Sequence, residues 1–281
     1  MSTLYVVATP IGNLADISER AVQVLSSVSL ILCEDTRTSG VLLSRLGIRA
    51  ELSSYHKFNE KGRADSVVQR MLDTDMDVAV ISDAGTPCVS DPGAIVVAEC
   101  AERGIPVVGV PGASATVTAM SVSGFEGSFA FVGFPPRKRS ELKTFFESGL
   151  PTNVDNHVFY ESPKRILVTL EVLAEVHPEA KICLCNDLTK KFERIYRGTA
   201  KDVVLELLQN ANAELGEYAC VINLRLEPTP TVDVPAEAAL FMELLSGADM
   251  REAKAKLGDQ YSRNELYAAA VRVKEFLEGQ Q

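Results

Sequence analysis

The feature that most constrains this chain is a series of short apolar runs, three of them closed by a polar turn rich in glycine and proline. Leu4-Tyr5-Val6-Val7-Ala8 ends in Thr9-Pro10-Ile11-Gly12-Asn13, and Asp77-Val78-Ala79-Val80-Ile81 leads into Ser82-Asp83-Ala84-Gly85-Thr86-Pro87. Ile105-Pro106-Val107-Val108-Gly109-Val110 leads into Pro111-Gly112-Ala113-Ser114-Ala115, and Leu30-Ile31-Leu32-Cys33 is a further run. Strands that show no polar alternation are buried on both faces, as when helices cover both sides of a mostly parallel sheet. Helical patterns lie between the runs. Asp16 with Glu19 reads as an N-terminal capping pair, and Ala21, Val22, Val24 and Leu25 follow at near-helical spacing.

The pattern changes near Ser121-Val122-Ser123-Gly124. Phe129–Val132, His157–Tyr160, Lys181–Cys185 and Tyr218–Ile222 read as strands, with helices such as Arg165–Ala174 and Lys201–Asn210 between them. Pro228-Thr229-Pro230, with Pro235 soon after, reads as a stiff linker. Beyond it strand signals stop. Ala236–Ser246 and Asp249–Leu257 are helical by pattern, Gly258-Asp259-Gln260 is a turn, and Ser262-Arg263-Asn264-Glu265 is a capping box. It opens a last helix with Leu266, Tyr267, Ala270, Val273 and Phe276 on its apolar side. The expected class is α/β, with two α/β domains over 1–118 and 119–227 and a helical, helix-turn-helix-like appendix over 236–281.

The net charge of −10 argues against non-specific nucleic-acid binding, although a local basic face can still hold RNA. No apolar run approaches the roughly 18 residues that span a bilayer. The N-terminus lacks the basic segment of a secretory signal. Cys33, Cys88, Cys100, Cys183, Cys185 and Cys220 form no C-x-x-C pair. Cys183 and Cys185 alternate along a strand and are expected on one side of it as small core residues. Free buried thiols fit the cytoplasm.

No G-x-G-x-x-G follows the first strand, and there is no G-x-x-x-x-G-K-[ST], H-E-x-x-H or G-x-S-x-G. His56, His157 and His177 lack ligand spacing, so no metal site is expected. What remains is the three turns, each at the carboxyl end of a strand. Ligands of open α/β sheets bind there. Gly85 and Gly112 allow close backbone approach, and Asp83 offers a carboxylate to an amine or hydroxyl.

These turns carry a resemblance. The opening Leu4–Leu14, then Cys33-Glu34-Asp35-Thr36-Arg37, then Ser82–Pro87 with Asp91-Pro92-Gly93, are similar to the ribosomal RNA small-subunit methyltransferase I family of the tetrapyrrole methylase superfamily. Phe159-Tyr160-Glu161-Ser162-Pro163 with Arg165, Leu188-Thr189-Lys190, and Gly216-Glu217-Tyr218 continue it in family order, and Asn264–Tyr267 extends it into the tail. The resemblance implies S-adenosyl-L-methionine held in a cleft between two α/β domains, a homodimer, and methyl transfer to a cytidine 2′-oxygen in the decoding region of small-subunit RNA. Carried onto this chain, it puts the methyl donor against Pro10, Asp83, Ala84, Gly85, Val89, Ser114, Ala115, Tyr160, Leu188 and Ala219. One departure is plain: Cys185-Asn186-Asp187 stands where the family carries Ala-Arg-Glu.

Methyl transfer from a sulfonium needs positioning more than covalent catalysis, but a ribose hydroxyl must lose its proton. Glu161, at the end of a strand, is the first candidate base. Asp35 with the neighbouring cation Arg37 is the second, and Lys190, as base or phosphate contact, the third. RNA contact is expected at Arg137-Lys138-Arg139 and at Lys190, Lys191, Arg194 and Arg197. The appendix, with six cations facing five acids from Asp249 to Glu275, exerts little electrostatic pull. Two other readings share this fold: a tetrapyrrole carbon methyltransferase, and a silent RNA-binding assembly factor. The helical appendix and the Ser82–Pro87 turn disfavour the first, and retention of all three turns disfavours the second.

Overall fold

The computed structural model describes residues 2–224, 234–258 and 260–278. The expected linker Pro228-Thr229-Pro230 and Asp259 of the expected turn lie outside these residues. The chain divides into two compact units, residues 1–224 and 225–281.

The first unit opens with β1 (Leu4–Val7), α1 (Glu19–Ser27), β2 (Leu30–Cys33), α2 (Thr36–Arg45), β3 (Glu51–Ser54), α3 (Glu60–Thr74), β4 (Val78–Val80), α4 (Ala94–Glu102) and β5 (Val107–Val110). Their strands form an all-parallel sheet of order β3-β2-β4-β1-β5. Successive residues of β2 feed opposite layers. Leu30 and Leu32 pack with Val67 and Met71 of α3 and Val96 and Cys100 of α4, while Ile31 and Cys33 pack with Ala21 and Leu25 of α1 and Leu43 of α2. That two-sided burial is why the sequence shows unbroken apolar runs. β3 was not expected. It is an edge strand of sequence ELSS with no fully buried residue, so its apolar signal is weak. The cap of α1 is Ser18, whose side chain accepts from the Ala21 N–H at 3.1 Å. Asp16 instead sits in a short 3₁₀ turn, which corrects the expected capping pair.

The unit continues with α5 (Ala115–Ser123), β6 (Phe129–Phe131), α6 (Arg139–Thr144), β7 (Asn156–Glu161), α7 (Ile166–Val176), β8 (Lys181–Asn186), β9 (Arg194–Thr199), α8 (Ala200–Leu208) and β10 (Tyr218–Asn223). The second sheet has the order β6-β7-β10-β8-β9 and is antiparallel except for the β6–β7 pair. One face packs on α7 and α8 through Phe159, Ile182, Leu184, Leu170 and Val203. The opposite face carries Val158, Cys183, Cys185, Ala219 and Val221, and packs on Ala119 of α5 and on Ile11. Cys183 and Cys185 thus share a face, with sulfurs 3.9 Å apart. The expected boundary at 118/119 runs through α5, a helix that packs on β7, β8 and β10.

The second unit comprises α9 (Ala236–Leu245), α10 (Met250–Lys256) and α11 (Arg263–Glu278) around Leu240, Ala253, Leu257, Leu266, Ala270 and Val273. Ser262 and Glu265 form the expected box: the Ser262 N–H and hydroxyl donate to Glu265 Oε2 at 2.8 and 2.6 Å. Tyr267 was expected on the apolar side but is 70% exposed, with the Lys254 ammonium 5.7 Å from its ring centroid. Among the described residues no helix is long and apolar enough to cross a membrane.

The second sheet's stability rests on the α7 layer. Leu170→Ala, at a fully buried position, is expected to lower the unfolding free energy by about 2–5 kcal/mol, measured by urea titration with unchanged m-value.

Candidate active site

The three turns meet through backbone pairing. Thr9 N–H donates to the Gly85 carbonyl at 2.9 Å and Gly85 N–H returns to the Thr9 carbonyl at 3.1 Å, which locks the turns after β1 and β4 together. The Thr86 hydroxyl donates to the Ala113 carbonyl at 3.1 Å, tying in the turn after β5. Gly85 has φ +84°, and a Cβ there would stand 3.3 Å from Ile11 Cγ2. A Cβ on Gly112 would stand 2.9 Å from the Ala8 Cβ, so this turn needs glycine for contact rather than for φ.

Between these turns and the end of the second sheet lies a cavity of about 370 Å³. Ala84, Gly85, Val89, Ser114, Ala115, Tyr160, Leu188 and Ala219 line it, eight of the ten residues marked for the methyl donor. Pro10 and Asp83 do not line it. Asp83 Oδ1 accepts from the Asp35 N–H at 3.3 Å. Ser114 caps α5, its hydroxyl accepting from the Val117 N–H at 3.5 Å. The Tyr160 hydroxyl accepts from the buried Thr116 N–H at 3.0 Å and bonds the Thr116 hydroxyl at 2.7 Å, so it closes the amino end of that helix. Phe131 and Phe134 flank the Tyr160 ring at centroid distances of 4.7 and 5.7 Å.

The candidate bases fare differently. Glu161 lines the cavity, yet its side chain is 1% exposed and both oxygens are engaged. Oε1 accepts from the Ser162 N–H at 2.7 Å; Oε2 accepts from the Thr169 hydroxyl at 2.7 Å and pairs with Arg165 Nη2 at 3.2 Å. Arg165 in turn donates to the Pro136 carbonyl at 2.6 Å. This carboxylate therefore organises the loop before α6: with three donors on its two oxygens and almost no exposure, it is held as an anchor rather than presented to a substrate. Asp35 and Arg37 do not line the cavity. Arg37 forks onto Asp35 at 3.1 and 2.6 Å, and its hydrogen bonds hold the Asp35 carboxyl down at about 2, too acidic for a base. Lys190 also stands off the lining, bonded to Asp187 at 2.8 Å and Glu217 at 2.9 Å. Partial burial works to lower its pKa, but the hydrogen bonds to these two carboxylates outweigh it and raise the value, so Lys190 is a cation, not a base.

Asn186 and Asp187, the departures from the family pattern, are built into the same clamp. Asn186 is buried and donates to the Leu215 and Glu217 carbonyls at 3.3 and 3.4 Å, and Asp187 has φ +53°. Any side chain at Gly216 would strike the Asp187 carboxylate, and one at Gly12 would strike the Lys190 methylenes. Of the expected RNA contacts, Lys138 pairs with Glu141 at 2.9 Å and Arg139 with Glu175, while Arg137 is exposed and in no ion pair among the described residues. Arg194 and Arg197 lie on β9, a strand the basic pattern concealed.

Residues absent from the expected set also line the cavity, among them Ile11, Ser90, Asp91, Phe134, Ser162 and Glu217. Asp91-Pro92-Gly93 carried a signal, since it belongs to the motif of the turn after β4. Phe134 carried none.

The profile of tetrapyrrole (corrin/porphyrin) methylases matches residues 3–204. The chain belongs to this family. It is 38% identical over 269 residues to the ribosomal RNA small subunit methyltransferase I of Haemophilus influenzae, covering 94% of each chain. It is 44% identical over 221 residues to the protein of the same name in Neisseria meningitidis serogroup B, covering 78% of this chain and 75% of that one. Among solved structures, a Thermus thermophilus uroporphyrin-III-C-methyltransferase aligns at TM-score 0.54 and 21% identity over 79% of this chain and 94% of its own, a likeness of fold.

Tyr160→Phe should remove the acceptor from the Thr116 N–H at the cavity wall and cost about 1–3 kcal/mol of stability, with weakened ligand binding, both readable by calorimetry. The Lys190 clamp gives a pH signature. Because the folded-state value is raised, its contribution is fully present below about pH 10.4, the ordinary lysine value, and fades as pH climbs through the raised one. The stability gap between the wild type and Lys190→Met, followed by urea titration, should be steady near neutrality and close at high pH.

Proposed function

We propose that this chain is an S-adenosyl-L-methionine-dependent methyltransferase that modifies a cytidine 2′-hydroxyl of small-subunit ribosomal RNA near the decoding site. The observation that carries the reading is the 38% identity, over 94% of both chains, to a protein named ribosomal RNA small subunit methyltransferase I. Branches of the family that act on other acceptors share the fold at much lower identity, as at 21%.

The cavity suits the methyl donor. Its volume of about 370 Å³ is at the small-ligand scale, and its wall combines apolar Val89, Leu188 and Ala219 with the backbone of Ala84 and Gly85. When bound, S-adenosyl-L-methionine supplies a methyl group made electrophilic by its sulfonium. Gly85 lets backbone approach the ligand, Ser114 and Ala115 present the start of α5, and Tyr160 braces that start from the second sheet. Glu161 and Arg165 hold the Phe134–Pro136 segment at the rim. Asp83, off the lining, holds the Asp35 backbone. Arg137, unpaired among the described residues, is the cation best placed on its loop to meet phosphate. The same reading takes the chain to work as a homodimer in the cytoplasm, on the strength of the family resemblance and of six free thiols.

Labelled methyl is expected to pass from S-adenosyl-L-methionine to purified small ribosomal subunits and to map to a single alkali-resistant dinucleotide. Cofactor binding without such transfer would redirect the reading to a tetrapyrrole or another small acceptor. Arg137→Ala should weaken subunit binding and lower the slope of log K against log salt by about 1.

A further inference from the structure

We propose that Asp91 is the general base that takes the proton from the acceptor hydroxyl, an assignment that rests on the reading of the chain as an RNA 2′-O-methyltransferase.

Among the described residues three carboxylates line the cavity: Asp91, Glu161 and Glu217. Two are committed. Glu161 is buried, with donors from Ser162, Thr169 and Arg165 on its two oxygens. Glu217 is neutralised by Lys190 at 2.9 Å with its side chain 74% exposed. Asp91 pairs with no guanidinium or ammonium among the described residues. It sits on the turn that carries Val89 and Ser90 into the cavity, with Tyr160 and Ser162 also on the lining. Pro92 and Gly93 follow it, both buried, and Gly93 has φ +131° with no room for a Cβ beside the Cys88 sulfur. The backbone that aims Asp91 is therefore fixed on its carboxyl-terminal side.

Its surroundings suit a base that must be ionised near neutrality yet bind a proton readily. Burial raises the Asp91 carboxyl above the ordinary aspartate range and the neighbouring Asp83 raises it further, while the Ser82 hydroxyl and the Lys57 ammonium pull it down. Glu34, Cys88 and Tyr160 are the other titratable groups that feel its charge. A base more proton-avid than a free carboxylate is the better catalyst, provided it still ionises at working pH.

The acceptor O–H bond breaks and its proton passes to an Asp91 carboxylate oxygen. The freed oxygen pair forms the new O–C bond to the methyl carbon, and the pair of the broken C–S bond stays on sulfur, cancelling its positive charge. Asp91 then releases the proton to water.

The test compares wild type, Asp91→Asn and Asp91→Glu in the full chain, using S-adenosyl-L-methionine and purified small subunits. Calorimetric affinity for the cofactor and filter-binding affinity for subunits should stay within about threefold in Asp91→Asn, while single-turnover methyl transfer falls by about 10²–10⁴-fold. The low-pH limb of the wild-type rate profile should vanish in Asp91→Asn and reappear in Asp91→Glu, which also guards against a folding defect in the amide variant. Asp91→Asn with a near-wild-type rate, or with subunit or cofactor affinity lost in step with rate, overturns the assignment alone. A wild type that binds cofactor but leaves subunits unlabelled overturns the acceptor reading and the assignment together.

Discussion

Ile11, carried on the turn after β1, packs into the face of the second sheet beside Val158, Cys183, Cys185, Ala219 and Val221. The cavity depends on that apolar contact. The turns of a parallel sheet end in polar backbone that would otherwise face water, and here they are held against a second, mostly antiparallel sheet by α5, by Ile11 and by Ala113. The Thr9–Gly85 backbone pair and the Thr86–Ala113 bond then make the three turns a single rigid wall. A cavity with both walls held by packing needs little rearrangement to orient a ligand, and orientation is the main demand of a methyl displacement.

The acids around that wall show how environment divides labour among identical groups. Asp35, forked by Arg37, is locked in its charged form. Glu161, with both oxygens engaged and almost no exposure, serves as an anchor for the Arg165 loop. Burial raises Glu34, Asp83 and Asp91; Asp91 and Asp83 raise Glu34 further, Asp83 raises Asp91, and Asp35 raises Asp83. Side-chain type alone would rank them as equals; partners separate them.

Much of the architecture was legible in the chain. Runs such as Leu30–Cys33 announce burial on both faces, and glycine-bearing turns at strand ends mark where a ligand can approach. Less legible were elements whose signal is carried by few apolar residues. β3 is polar because it lies at a sheet edge, and β9 was hidden under the charges of Arg194 and Arg197 because one of its faces looks outward. Ser18 rather than Asp16 caps α1, since the choice between two good capping residues is made by where the backbone turns.

The sequence by itself determined the α/β class, the family and the turns that build the cavity wall, because periodicity, turn chemistry and motif order are local properties of the chain. Tertiary structure alone decided the role of each ionisable residue. Glu161 and Lys190 read as candidate bases in one dimension and are an anchor and a clamped cation in three, because Thr169, Arg165, Asp187 and Glu217 come to them through folding. Asp91 is one motif residue among several in sequence order, and only the fold puts it on the cavity wall, in no ion pair among the described residues. Proton affinity depends on burial and on neighbours in space, and neither is written in sequence order.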